Sequence, residues 1–379
     1  MQTSFHNLSL TAAVFLALVT QRLAPPTDES KLQNPQSSRE AQLPEAIEKN
    51  QKALLRQPGN ERIELALADT YRRVHNDEQA RAILQTARRQ HPRSIAILRA
   101  IATLEIDTQN YDASVSALRS ALVLAPSNTD IKTLLATAYL KKGNADAALG
   151  ELNGILSHNS NDALTHFIRA EIYADRGENE ESLADLEKVI AVNPQYPPAR
   201  TLYAKVLVRL AKCQRAVEIL RPSQQQTALD ADSLFLLATA YDCAGQKDQA
   251  NRARAEFETL SRAQHETAEN RVQSLHLVEQ ANELAMHNQF SEAQAVLQQA
   301  LEKNPENAFA YSQQAKIYFS IKQSRQARAA ITKALKIQPY QPDFLFVQGA
   351  IEASDGNLEA ALASFHAVTL INPQEADAY

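Results

Sequence analysis

The sequence contains little glycine and almost no cysteine, with eight glycines, two cysteines and no tryptophan in 379 residues. It has no GxxxxGK[ST], GxGxxG or GxSxG segment, which excludes the usual phosphate-binding loops and the nucleophile elbow. The two cysteines do not form a CxxC pair. No two of the nine histidines lie at metal-ligand spacing on one helix with a carboxylate in support. The sequence therefore predicts no catalytic residues, no metal site and no cofactor.

Strong charge of either sign is also missing. The chain carries 39 basic and 44 acidic residues, a net charge of −5, and both signs are interspersed along its length. A large basic field, which would attract nucleic acid by releasing its counter-ions, is absent. Since 44% of the residues are apolar, the chain can bury a normal core. Nucleic acid is therefore not expected among its partners.

Proline recurs at a fixed period of 34 residues. It occupies positions 58, 92, 126 and 194, with Ser160 where the fourth proline would stand, and the period resumes at 305, 339 and 373 after nine extra residues. A period of this size is typical of stacked repeats rather than of a single globular core.

Other positions keep the same register when proline is numbered 32 in each repeat. Position 8 is small, as in Ala68, Ala102, Ala136, Ala170, Ala204, Ala238, Ala281 and Ala315, and position 20 is Ala or Ser. Position 24 is large and apolar except for Arg254, and position 15 is often glycine. Small residues allow two helices to approach closely, glycine can end the first helix, and proline stops the second.

This pattern resembles the tetratricopeptide repeat family over nine repeats, residues 61 to 373, although the family's tryptophan at position 4 is absent. The resemblance implies an all-α fold, a right-handed α-solenoid of antiparallel helix pairs. The sequence divides into six segments by this register. They are an apolar signal-like segment at 1–24, a disordered linker at 25–42, a half repeat at 43–60, repeats 1–6 at 61–262, an insertion or extended helix at 263–273, and repeats 7–9 at 274–379.

The N-terminal apolar run, residues 8–19, is too short for an ordinary membrane span. It resembles the apolar region of a secretory signal peptide, although no lysine or arginine precedes it. The run favours export to a periplasmic or other extracytoplasmic space over a cytoplasmic location. An uncleaved tail and a misassigned start are the alternatives.

Cys213 and Cys243 fall at positions 17 and 13 of adjacent repeats, near stacked helix–turn–helix corners. A bridge between neighbouring corners is sterically conceivable, and an exported chain would favour it. The alternative is two unlinked thiols.

The family resemblance also implies where a partner binds, because the first helices of such arrays line an inner groove. The residues expected to line it here are Leu65, Asp69, Arg72, Arg99, Phe167, Glu171, Lys205, Phe235, Val278, Asn282 and Phe346. Phenylalanines among alternating charges suit an extended or helical protein segment with apolar anchors. The alternative for each phenylalanine is packing between repeats.

These features predict a non-catalytic scaffold that binds a peptide or protein segment in its groove. The alternative is an accessory module of an envelope polysaccharide or glycosyl-transfer system. The chain stops where a tenth repeat would begin. We therefore expect an uncapped, apolar C-terminal repeat and self-association through it.

Overall fold

The computed structural model describes residues 43–221 and 229–372, which belong to one compact unit beginning at Leu43. Within these ranges the chain forms eighteen α-helices and no strand. In chain order the helices are α1 Leu43–Arg56, α2 Glu61–Arg73, α3 Asp77–Gln90, α4 Ile95–Asp107, α5 Tyr111–Leu124, α6 Thr129–Lys141, α7 Ala145–Leu156, α8 Ala163–Arg176, α9 Asn179–Val192, α10 Pro197–Arg209, α11 Cys213–Leu220, α12 Ala231–Cys243, α13 Lys247–Met286, α14 Phe290–Lys303, α15 Ala308–Ser320, α16 Ser324–Ile337, α17 Pro342–Ser354 and α18 Leu358–Ile371. The all-α fold of paired helices is confirmed.

Each first helix ends on a residue with left-handed backbone at position 15. Glycine takes this conformation in four repeats, for example Gly177 with φ 79°. In the other five repeats a residue with a side chain adopts it, including Ala211 with φ 56°, at a modest steric cost. The turn is therefore fixed by the stacking of the two helices, and glycine only makes it easier.

Polar residues that follow four of the repeat prolines cap the next helix, whereas the helices after Pro194 and Pro339 have no side-chain cap and begin with a proline. The side-chain oxygen of Asn128 accepts a hydrogen bond from the backbone N–H of Ile131, and Asn307 accepts one from Ala310. These caps satisfy amide groups that an α-helix leaves unpaired in its first turn.

The core follows the repeat register. The small residues at positions 8 and 20 are almost fully buried, as at Ala136 and Ala148 with 0% exposure, and Leu152 at position 24 is also at 0%. The ninth repeat has Gly349 at position 8, because a Cβ atom there would lie 2.6 Å from Cε1 of Phe365. Close helix crossings of this kind tolerate little added volume.

We expect replacement of Ala80 by leucine to lower the free energy of unfolding by roughly 1–3 kcal/mol, because the site is already filled. Ala80 is 1% exposed at position 20 of the first repeat, and Ala82 on the same helix is exposed. Ala82→Leu is the matched control and should change stability by less than about 0.5 kcal/mol. Urea denaturation of the two variants makes the comparison, and equal effects would refute the register.

The sixth repeat departs from the others because its second helix does not stop. The segment 263–273 lies inside α13, a single helix of 40 residues that also supplies the first helix of the seventh repeat. Arg254, which replaces the apolar residue at position 24, is exposed and pairs with the carboxylate of Asp242. No proline interrupts this stretch, so the polar sequence continues as helix.

The last helix contacts the first. Leu370 and Ile371 of α18 are 6% and 4% exposed and pack in one cluster with Leu43 and Ile47 of α1. The Asn76 side chain donates a hydrogen bond of 2.7 Å to the backbone oxygen of Ile371. The C-terminal repeat, predicted to be uncapped, is therefore covered in part by the chain's own half repeat, whereas Leu358 and Leu362 of α18 stay 65% and 69% exposed.

Two predictions fall outside the described residues: the signal-like segment at 1–24 and the linker at 25–42. Of the helices described, none is both long enough and apolar enough to cross a bilayer.

Candidate functional site

The predicted groove residues all lie on first helices of repeats, but their exposure differs widely. Asp69, Arg99, Lys205 and Phe235 are exposed. Leu65, Arg72, Glu171, Asn282 and Phe346 are half-buried. We call these nine residues, together with Phe167 and Val278, the groove row. Its exposed and half-buried members are the ones that a partner can reach.

Two members of the groove row are core residues instead. Phe167 is 4% exposed and Val278 is 6% exposed, and each belongs to a cluster of buried apolar side chains. The Phe167 ring packs edge-on against Tyr196, with centroids 5.4 Å apart. Their assignment as open groove residues is corrected, because side chains from the neighbouring elements cover them.

Phe235 behaves differently at the same repeat position. Its side chain remains 57% exposed and makes a tilted contact with Phe257 of α13 at 5.4 Å between centroids. The next first helix of the array is the C-terminal part of α13, a helix of 40 residues. Phe235 is the largest apolar side chain that the groove row leaves exposed.

The C-terminal end of the row also holds an aromatic pair. Phe346 of α17 and Phe365 of α18 lie with ring centroids 5.5 Å apart.

Asn282 has its Oδ1 atom buried without a hydrogen-bond partner among the described residues. An unpaired buried amide oxygen costs free energy unless a donor reaches it.

Arg72 links two neighbouring repeats at the N-terminal end of the row. Its guanidinium donates to Asp69 at 3.0 Å on its own helix and to Asp107 at 2.9 Å on α4. Burial alone would lower the Arg72 pKa, but hydrogen bonds to the two carboxylates outweigh it and raise the pKa. Arg72 is therefore neutralised within the chain, whereas Arg99 forms no ion pair with any described residue and remains exposed.

Glu171 is the electrostatic exception in the row. It lies on α8 one turn after Phe167 and one turn before Asp175, and it is half-buried. Burial raises the pKa of Glu171 to about 7, and the charge of Asp175 adds to the rise. Among the described residues it forms no hydrogen bond and no ion pair, not even with Lys205 at the same position of the next repeat.

Most other buried carboxylates are compensated. Of the four buried acids in the described residues, Glu105, Asp185 and Glu352 each have an arginine nitrogen within 3.2 Å. Glu64 has only His91 Nε2 at 3.6 Å, and burial raises the pKa of Glu64. Because an unpaired charge is costly in a poorly solvated place, pairing with arginine is the usual arrangement, and Glu171 has no such partner among the described residues.

A buried polar network in the fourth repeat escaped the sequence analysis. Asp185 accepts from His166 Nδ1 at 2.7 Å and from Arg169 Nε at 2.7 Å, with the Asp185 side chain 3% exposed. His166 Nε2 lies 2.8 Å from the backbone oxygen of Ser160, the residue that stands where a repeat proline is missing. The histidine at position 4 and the aspartate at position 23 were the available signals, but they are 19 residues apart.

The two cysteines are joined. Cys213 opens α11 and Cys243 closes α12, and a disulfide connects them with their Cα atoms 5.6 Å apart. The bond ties the second helix of the fifth repeat to the first helix of the sixth. It spans 30 residues of sequence, which include the stretch 222–228 outside the described residues.

Charged pairs also repeat between neighbouring helix corners. Asp112 pairs with Lys142, and Asp146 pairs with Arg176 at 2.7 Å in the next repeat. Both acids are well exposed, so these pairs contribute little stability and mainly cover the surface. No group of three or more potential metal ligands occurs in residues 43–221 and 229–372.

Family comparisons agree with this architecture. Three profiles described as tetratricopeptide repeat match the chain, one at residues 105–172 and 284–346, one at 65–130 and one at 163–196. Together they span just over half of its length. No curated protein shows significant similarity.

Solved structures of repeat proteins are similar at low identity. A tetratricopeptide repeat protein from Parabacteroides merdae ATCC 43184 is 16% identical, covers 73% of this chain and 93% of its own, with a TM-score of 0.38. A structure of MamA protein is 18% identical over 43% of this chain and 89% of its own, with a TM-score of 0.39. A second, MamA MSR-1, is 15% identical over 45% and 98%, with a TM-score of 0.40.

Proposed function

Because this chain belongs to the tetratricopeptide repeat family, whose arrays are scaffolds for protein–protein interaction, we propose that its groove row binds an extended or helical protein segment without catalysing a reaction. The observation that carries the proposal is the exposed ring of Phe235 at a groove position. An aromatic side chain left 57% open beside a second ring is a ready apolar anchor for a partner.

The flanking polar residues support the same reading. Lys205 is exposed one repeat before Phe235, and Thr201 lies beside it on α10 with its hydroxyl 3.4 Å from that of Ser233. An apolar centre with a polar rim is the usual composition of a protein-binding surface. The polar rim fixes the position of the bound segment along the groove row, while the Phe235 ring contributes most of the binding free energy.

We also propose that the chain acts in an oxidising, extracytoplasmic compartment. The disulfide between Cys213 and Cys243 supports this, because structural disulfides persist mainly outside the reducing cytoplasm. The signal-like run at 8–19 points the same way. An accessory role beside an envelope polysaccharide or glycosyl-transfer enzyme stays an alternative that the identity of the partner would decide.

We expect Phe235→Ala to weaken partner binding by at least about 2 kcal/mol, because it removes the central anchor while leaving the core intact. The partner would first be isolated by affinity capture with the chain and identified by mass spectrometry. Its affinity for purified wild type and variant would then be measured by calorimetry.

The matched control is Val123→Ala. Val123 is 80% exposed on α5, the second helix of its repeat and outside the groove row. Binding should be unchanged there, and circular dichroism should show equal helix content for both variants. Equal affinity of Phe235→Ala and wild type would exclude the groove row around Phe235 as the binding surface.

A further inference from the structure

The half-buried carboxylate of Glu171 lacks a counter-charge within the described chain, and this lack has a chemical consequence. The buried acids Glu105, Asp185 and Glu352 are paired with arginine, whereas Glu171 has only Asp175 and Tyr196 as electrostatic neighbours. A site that holds one carboxylate without a cation is complementary to a cation brought by something else.

The surroundings of Glu171 narrow the kind of cation. Tyr196 lies close enough for the Glu171 charge to raise the pKa of its phenol, after the larger effect of burial. The Tyr196 ring is itself fixed by edge-on packing against Phe167, at 5.4 Å between centroids. A carboxylate beside a rigid aromatic ring is a good environment for an organic cation, which gains ion pairing at one side and contact with the ring at the other.

We propose that Glu171, with Tyr196 beside it, receives a lysine or arginine side chain of the protein segment bound in the groove row. The inference rests on the proposed function and makes it more specific. Lys205 and Phe235 follow at one and two repeats' distance on the same kind of helix. The segment would therefore carry a cationic residue toward one end and an apolar residue farther along.

Protonation is part of this recognition. Glu171, whose pKa is about 7 in the free chain, is partly protonated at neutral pH, and a bound cation favours its ionised form. Binding therefore releases a proton, and affinity for a cationic segment increases as the pH rises from 6 to 8, by about tenfold at most. Asp175 on α8 is the titratable group whose charge raises the pKa of Glu171, and Tyr196, the residue before α10, has its own pKa raised by Glu171.

The test uses a phage-displayed library of random 12-residue peptides selected on the full chain and, in parallel, on Glu171→Gln. We expect peptides enriched on the wild type to share a lysine or arginine at one fixed position, and those enriched on Glu171→Gln to lack it. Thr137→Ala, at the same position one repeat earlier, is the matched control and should select the same peptides as the wild type.

One enriched peptide is then synthesised with lysine or with norleucine at that position. The lysine form should bind the wild type about tenfold or more tightly than the norleucine form, and bind tighter at pH 8 than at pH 6. Glu171→Gln should bind both forms equally and without pH dependence. Two results would overturn this inference and leave the proposed function standing. One is that the enriched peptides share no lysine or arginine position, and the other is that Glu171→Gln still binds the lysine form more tightly than the norleucine form. If no peptide is enriched on the wild type or on either variant, both this inference and the proposed binding function of the groove row are contradicted.

Discussion

Replacement of Asp185 by alanine is expected to lower the free energy of unfolding by about 3–5 kcal/mol, because it leaves the half-buried Arg169 guanidinium without its counter-charge and the buried His166 ring without its hydrogen-bond acceptor. Asp185 accepts hydrogen bonds from both His166 and Arg169, each at 2.7 Å. The other ring nitrogen of His166 lies 2.8 Å from the Ser160 carbonyl oxygen, so the ring is held between two fixed groups. Chemical denaturation monitored by circular dichroism measures the loss.

Asp146→Ala is the control for Asp185. Asp146 also pairs with an arginine at 2.7 Å, but its side chain is 89% exposed, so its loss should cost less than about 1 kcal/mol. A triple variant with apolar residues at 166, 169 and 185 should recover much of the stability, since it removes the charges together. If the two single variants were equally mild, the network would not be buried as described.

The second large effect concerns the disulfide. We expect Cys213→Ala together with Cys243→Ala to lower the free energy of unfolding by about 3–4 kcal/mol, because the unfolded chain regains the freedom of a closed loop. The two bonded cysteines are 30 residues apart in the sequence. A reductant should destabilise the wild type by the same amount and leave the double variant unaffected.

Thiol titration provides the independent measurement. Protein taken from its native compartment and denatured without reductant should show no free thiol, since the chain has only these two cysteines. Two titratable thiols would rule out the bridge in the native protein and remove the main support for an oxidising compartment. The same preparation would show by its N-terminus whether the run at 8–19 has been removed.

The architecture was predictable because it is local. Residues that set the helix crossings, such as Ala136 and Ala148, contact partners within one or two repeats, so their period in the sequence is also their period in space. The caps at Asn128 and Asn307 depend on three residues of chain. Nothing distant was needed to place these elements.

The accessible surface depended on tertiary structure instead. Phe167 and Phe235 occupy the same repeat position, yet one is 4% and the other 57% exposed. Tyr196 packs against the first, whereas the second has a ring contact with Phe257 of α13 and still remains mostly exposed. Burial at a groove position is decided by what the next repeat contributes, which a single repeat does not encode.

The contact of α18 with the N-terminal helices separates most clearly what the sequence determines from what the tertiary structure determines. The sequence by itself determined the helices, their pairing and the small, apolar and turn positions of each repeat. Only the tertiary structure brought Asn76 to Ile371, 295 residues away in the chain. Small rotations between successive repeats add over the whole array, and α13 adds another where the period breaks. The sum of these rotations determines where the two ends of the array meet. Each rotation follows from the packing across one interface between repeats, so the sum cannot be read from any local sequence motif.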